Sequence, residues 1–265
     1  MMDGEHALPT FLRPPLDEVA ADVQFTSLPL RAADIADFHA LIKEEYPHSL
    51  DVPPLPPSFE TAGPVQIQQF LLSNMGSGLL PRTWFISSDD EHVIQLQPDR
   101  LIANWRLRPN GGAYPRYPVV RQRFEAALEA LNTFVHRHGY PDIIPIQCDL
   151  TYFNKVGMTD DTEAGNIGSL LRHVSISATD CQIKFRRLLQ SHGEDAVRWL
   201  QVECLPVQAG IGRKLWALNI SVKGRPASAD IAAVFEFLDR AHVEIVNCFV
   251  EIATDAMLDA WGMQR

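Results

Sequence analysis

The stretch Trp84 to Arg108, WFISSDDEHVIQLQPDRLIANWRLR, leaves the chain few ways to fold, because it reads as three short strands joined by two tight turns. Asp89-Asp90-Glu91 and Pro98-Asp99 are turn formers set between β-branched and aromatic runs, as an antiparallel meander requires. Strand alternation then sorts the side chains. Leu101, Ala103, Trp105 and Leu107 point one way, and Ile102, Asn104, Arg106 and Arg108 the other. In the middle strand Ile94 and Leu96 join the apolar side, which leaves Gln95 and Gln97 beside Asn104 and Arg106. The prediction is a sheet with one apolar face and one polar face, and the polar face is the first place to look for function.

The flanking segments follow the same logic. Val19, Val23 and Phe25 predict a strand that ends at Leu28-Pro29-Leu30, and Ile35, Phe38, Leu41, Ile42 and Tyr46 then recur at helical spacing until Pro47. Asp51 to Pro64 carries five prolines and is predicted as an extended connector, with a strand at Val65 to Leu72 after it. Tyr117 to His138 places Val120, Phe124, Leu128, Leu131 and Val135 on one side of a long helix closed by Gly139 and Pro141. Ile143 to Asn154 alternates again as a strand, and Lys155 to Ser169 reads as a Gly/Asp/Thr-rich loop. Further strands are predicted within Arg172 to Leu188, at Val197 to Val207 and at Arg213 to Lys223. A single helix is predicted from Ser228 to Met257.

These elements make an α+β chain: a flexible arm over residues 1–18, a first half over 19–138, a second half over 143–257, and a tail over 258–265. Each half offers a strand, a connecting region, further antiparallel strands and a long closing helix. Joined edge to edge, two such halves form one pseudo-symmetric sheet backed by helices. That element order resembles the duplicated saddle of the TATA-box-binding-protein fold, with a pair of helix-grip units as the alternative, and it transfers no function.

Composition removes several function classes. Lys and Arg number 23 against 33 Asp and Glu, for a net charge of -10, so nonspecific nucleic-acid binding is disfavoured except through a local cluster of Arg100, Arg106, Arg108, Arg116, Arg121 and Arg123. No apolar run is long enough to span a membrane and no leader opens the sequence, so a cytoplasmic protein with no membrane partner is expected. Cys148, Cys181, Cys204 and Cys248 are far apart and read as reduced core residues. Neither a phosphate-binding glycine loop nor a zinc or nucleophile motif is present, so no metal, cofactor or catalytic residue is predicted. His242 falls on the inner side of the last helix, where a buried, hydrogen-bonded histidine is the expectation. Trp261 lies past the last apolar stripe and is a candidate exposed docking residue.

WFIS at Trp84, VIQLQPDRLIANWR at Val93 to Arg106, YPRY at Tyr114 to Tyr117, Phe124, and LTYFNKV at Leu150 to Val156, with His242, Phe249 and Trp261 near the end, form a combined pattern. It resembles that of a sporadically distributed bacterial family of conserved proteins of similar length and unknown biochemical function. The resemblance runs from the first helix to the C-terminus. It implies a bacterial cytosolic protein, carries no catalytic residues over, and through its scattered distribution implies an accessory role such as defence or toxin control.

If the strand at Ile143 to Asn154 adjoins the meander, Asp149, Thr151 and Asn154 share the polar face with the meander's amides. The candidate binding set is then Gln95, Gln97, Asn104, Arg106, Asp149 and Asn154. The leading expectation is a non-enzymatic binding or regulatory protein acting through that face, its acidic balance pointing to a protein partner. Exposed sheet edges make a homo-oligomer the other partner class. Two readings stand beside it: a small-molecule sensor with a pocket between sheet and long helix, lined by Trp105, and an enzyme without a familiar motif using Asp149 or His242 as acid or base.

Overall fold

The computed structural model describes residues 8–56, 80–157, 166–174, 180–189, 197–208 and 214–264. The strand expected at Val65 to Leu72 and most of the loop expected after Lys155 lie outside the described residues. In chain order the elements are β1 (Thr10–Phe11), β2 (Leu16–Phe25), α1 (Ala32–Ile42), β3 (His48–Val52), β4 (Arg82–Ile86), β5 (His92–Gln97), β6 (Arg100–Arg106), α2 (Tyr117–Arg137), β7 (Pro145–Gly157), α3 (Ile167–Leu170), β8 (Ile183–Leu188), β9 (Arg198–Gln208), β10 (Lys214–Gly224), α4 (Ile231–Ile252), α5 (Asp255–Ala260) and β11 (Met263–Gln264).

The fold is α+β. Among the described residues the main sheet has nine strands in the order β3-β4-β5-β6-β2-β7-β10-β9-β8, every pair antiparallel. The β2–β7 pair at the centre joins the two halves into one continuous sheet. From that centre outward each half runs through its first strand, then its last, then its second to last. Among the described residues the first half has one more strand in the sheet, the edge strand β3, and each half has a shorter helix, α1 or α3, besides its long one.

Helices α2 and α4 lie on one face, α2 across β6 and β2, α4 across β7 and β10. Their inner stripes follow from helical spacing: Val120, Phe124, Leu128, Leu131 and Val135 on α2, and Val234, Leu238, Ala241, Ile245 and Phe249 on α4, are buried. They meet Val19, Val23, Leu101, Trp105, Cys148, Leu150, Leu218 and Ile220 from the sheet in one core. At about 25 cal/mol per Å² of apolar surface removed from water, this face is the main source of stability.

The C-terminal end of β10 tolerates no side chain at Gly224, because an added Cβ would lie 2.3 Å from the Val197 carbonyl oxygen. Gly224→Ala is expected to lower stability by about 1–3 kcal/mol in urea denaturation, through displacement of the β9–β10 pairing. An unchanged midpoint would show that this strand end yields freely.

Three features depart from the sequence expectations, each for a local reason. His48 to Val52 forms an edge strand on β4, where the proline run had hidden it. Only its last two residues overlap that run, and an edge strand can leave its outer backbone groups to solvent. The single helix predicted from Ser228 to Met257 breaks at Ala253, which is extended. There the Ile252 carbonyl accepts from Arg172 N at 2.7 Å, Thr254 N donates to the Leu170 carbonyl at 3.0 Å, and the Thr254 hydroxyl caps α5. Finally, the chain is ordered well before Val19. Thr10–Phe11 pairs with Met263–Gln264, Phe11 packs edge-on against Phe249 at 5.3 Å, and Trp261 stacks on Phe249 at 5.0 Å. Trp261 is therefore buried against its own chain rather than exposed.

Candidate functional site

The register places the expected polar face in cross-strand rows. One runs Gln95, Ile102, Asp22, Asp149, Lys223, Trp199; the next runs Asn104, Ala20, Thr151, Ser221, Gln201. Gln95, Gln97, Asn104, Arg106 and Asp149 thus share a face, as the alternation predicted. Asn154 does not. It follows Tyr152 on the inward parity of β7, lies opposite Leu218, and donates to the Leu218 carbonyl at 2.9 Å. An even separation from Cys148 and Leu150 puts it on the helix side.

The face is also more enclosed than a solvated sheet. Gln95, Gln97 and Asn104 are buried, and their hydrogen bonds are spent within the chain. Gln95 donates to Asn104 Oδ1 at 2.6 Å and accepts from Arg82 at 2.8 Å, while Asn104 donates to Glu18. The Gln97 amide pairs in both directions with the backbone of Leu55, at 3.0 Å each way, so residues 53–56 cross this face. Arg106 is tied to Asp90 and lies 5.5 Å from the Trp84 ring centre. Asp149 binds Lys223 at 2.7 Å and accepts from Thr151. Burial pushes the Asp22 carboxyl up to about 7, Arg100 opposing.

On the opposite face a cavity of about 330 Å³ lies between the centre of the sheet and α4. Leu16, Tyr152, Asn154 and Ile220 form its floor, His242, Ile245, Val246 and Phe249 its wall, and Tyr114, Arg116, Tyr117 and Pro118 one side. Residues Leu8 to Phe11 and Pro14, anchored through β1 and β11, close the remaining side.

A chain of polar groups enters this apolar space. Tyr152 Oη lies 2.8 Å from His242 Nδ1 and the Tyr114 and Tyr152 hydroxyls are 3.3 Å apart. The Tyr117 ring stacks on the His242 imidazole at 4.1 Å, 9° from parallel, and is held there by its own hydroxyl, which donates to Asp239 at 2.8 Å. Trp105, expected to line a pocket, instead supports it from behind, 5.1 Å from the Tyr114 ring. Burial pushes Tyr114 up to about 12 and also raises Tyr117 and Tyr152, so all three phenols are protonated at neutral pH. Burial pushes His242 down to about 4, so its imidazole is neutral. A neutral imidazole either accepts from Tyr152 at Nδ1, with its proton on Nε2, or donates to the Tyr152 oxygen from Nδ1.

Sequence reasoning placed His242 inward, counted Arg116 only within the local arginine cluster, and left Tyr114, Tyr117 and Tyr152 without a role. The signal was the inward parity of Tyr152, since a buried tyrosine hydroxyl needs a partner. Among the described residues one cluster, Asp34, Asp37 and His138, has cation-site spacing. Asp34 is already bound by Arg31 and by the Tyr140 hydroxyl at 2.7 Å, which makes it an anchor for α1. No described helix is long and apolar enough to cross a membrane. No protein-family model matches the chain, and no curated protein matches it.

Proposed function

We propose that this chain is a non-enzymatic small-molecule-binding protein whose ligand occupies the cavity between the sheet and α4. The observation that carries this reading is an apolar space of about 330 Å³ into which a convergent set of hydrogen-bonding groups projects. Its size is at the lower end of the range for small-molecule sites, about 300–1,000 Å³. The protonation states favour binding over acid–base chemistry. A histidine titrating near 4 is a weak base at pH 7, and phenols that stay protonated are donors rather than nucleophiles. Tyr114, Tyr152 and His242 together form a fixed array suited to orienting a ligand's oxygen atoms.

Native mass spectrometry of the protein purified without denaturation tests this. The wild type is expected to carry a small non-covalent adduct, and Val246→Trp, which fills the cavity from α4, to lose it while keeping its circular dichroism. A bare wild-type protein that also gains no thermal stability from any member of a panel of small amphipathic molecules would sink the reading, because saturation at 100 times Kd adds about 2.7 kcal/mol.

A second reading, a protein partner on the polar face, is supported by the two-way pairing of Gln97 with the Leu55 backbone, a contact by which that face already holds extended chain. It ranks second because Gln95 and Asn104 are occupied by each other and by Arg82 and Glu18.

A further inference from the structure

The six arginines that cluster in the sequence have different fates in the fold. Arg100 meets Asp22, Arg106 and Arg108 meet Asp90, Arg121 meets Asp239 and Glu125, and Arg123 meets Glu45. Arg116 alone of the six has no ion-pair partner among the described residues, and it is the one that lines the cavity. Among the described residues no aspartate or glutamate lines that space. Arg116 also precedes α2, whose first turn holds no acidic residue, so the helix brings no negative side chain of its own to its positive end. In a chain of net charge -10 this is a local positive spot at the side of an apolar cavity.

The backbone at Arg116 adds an independent observation. Its φ of 79° and ψ of 156° fall in a region that side-chain-bearing residues rarely adopt and that glycine would occupy freely. Arg116, between Tyr114 and Tyr117, is solvent-exposed and borders the cavity at its rim. Arg116 is near enough to Tyr114 to favour ionisation of its hydroxyl against the effect of burial.

From this geometry we infer that the ligand is a small amphipathic monocarboxylate, its anionic head against Arg116 and the Tyr114–Tyr152–His242 array and its hydrocarbon body against Phe11, Ile245 and Phe249. The inference rests on the cavity-binding reading and specifies its ligand class. A guanidinium presents paired N–H donors matched to a carboxylate. The Tyr114–Tyr152 and Tyr152–His242 contacts each use one proton of this neutral array, so a single O–H or N–H is left to donate to the same oxygens. Arg116 is exposed, so the anionic head meets it at the rim of the cavity, and the apolar walls take the hydrocarbon body. An amine would set its charge against that of Arg116, and a neutral alcohol would leave the guanidinium unmatched.

Isothermal titration of octanoate, octan-1-ol and octylamine into wild type, Arg116→Gln, Arg116→Lys and Val246→Trp tests it. Octanoate is expected to bind the wild type at least tenfold more tightly than octan-1-ol, with octylamine weakest. Arg116→Gln should remove the preference for the acid while still binding the alcohol, Arg116→Lys should keep part of it, and Val246→Trp should bind none of the three. Equal binding of acid and alcohol, or an acid preference that survives in Arg116→Gln, overturns the anionic ligand and leaves the cavity as the site. Absence of binding by both octanoate and octan-1-ol overturns the cavity reading and this inference with it.

Discussion

Replacement of Trp105 by alanine is expected to lower stability by about 3–5 kcal/mol, the range for deleting a large aromatic side chain from a packed core. Trp105 is 1% exposed, near the C-terminal end of β6, on the face that meets the helices. Neighbouring backbone is fixed on both sides, by β5 and by β2, so the site can collapse only in part. Trp105→Phe should cost much less, roughly 1–2 kcal/mol, in proportion to the ring area removed. The indole Nε1 has no hydrogen-bond partner among the described residues, so phenylalanine sacrifices packing alone. Urea denaturation checks both, with a lower midpoint and an unchanged slope for a pure stability effect. The two variants should also separate in ligand binding, because the Tyr114 ring leans on Trp105 at the back of the cavity. Equal losses from alanine and phenylalanine would mean that a contact of the indole nitrogen, rather than the volume of the ring, is what the fold depends on.

The difference between what the sequence disclosed and what it withheld has a physical origin. Period-two alternation in VIQLQPDRLIANWR depends only on local backbone geometry, so β5, β6 and their turn could be read directly, as could the inner stripes of α2 and α4. The grouping of Gln95, Gln97, Asn104, Arg106 and Asp149 followed from the same alternation once β7 was placed near the meander. What alternation does not encode is what covers a face. Leu55 reaches Gln97 across 42 residues, and Asn104 finds Glu18 across 86, so the amides that look free in sequence are consumed by chain far away. The cavity is less legible still. Its walls come from the N-terminal strand, the start of α2, β7, β10 and α4, and its key contact, Tyr152 with His242, spans 90 residues. Arg116 stands out only after the other five arginines have been paired. The break at Ala253 is a similar case: Thr254-Asp255 is a capping signal, but the strand-like contact with Leu171 that makes it decisive is tertiary.

The pH dependence of stability should separate the two faces, since the buried groups on each act in opposite directions. Asp22 ionises near 7 in the fold, against about 3.8 unfolded, chiefly through burial, with Arg100 and Lys223 opposing the rise and Asp149 and Asp99 adding to it. The folded state holds this proton more tightly, so its contribution is full below about pH 4 and is lost as pH rises through 7. His242 and His92 titrate near 4 in the fold against 6.5 unfolded, again chiefly through burial. Their contribution is full above 6.5 and is lost as pH falls toward 4. Asp22→Asn removes the first effect and keeps the second. The variant should match wild type near pH 4 and exceed it by a margin that grows through pH 7. That margin reaches at most about 4 kcal/mol by pH 8, because ionising a buried acid costs about 1.36 kcal/mol for every pH unit by which its titration is delayed. Arg100 Nη1 lies 3.4 Å from Asp22 Oδ2, a separation that attracts but does not close a short hydrogen bond. Asp22 Oδ1 has no hydrogen-bond partner among the described residues, which is why desolvation prevails over the ion pair. Urea midpoints for wild type and Asp22→Asn at each whole pH from 4 to 8 measure the margin. If Asp22→Asn is the less stable protein at pH 8, the Arg100 contact outweighs burial, and the polar face is held together by its charges rather than in spite of them.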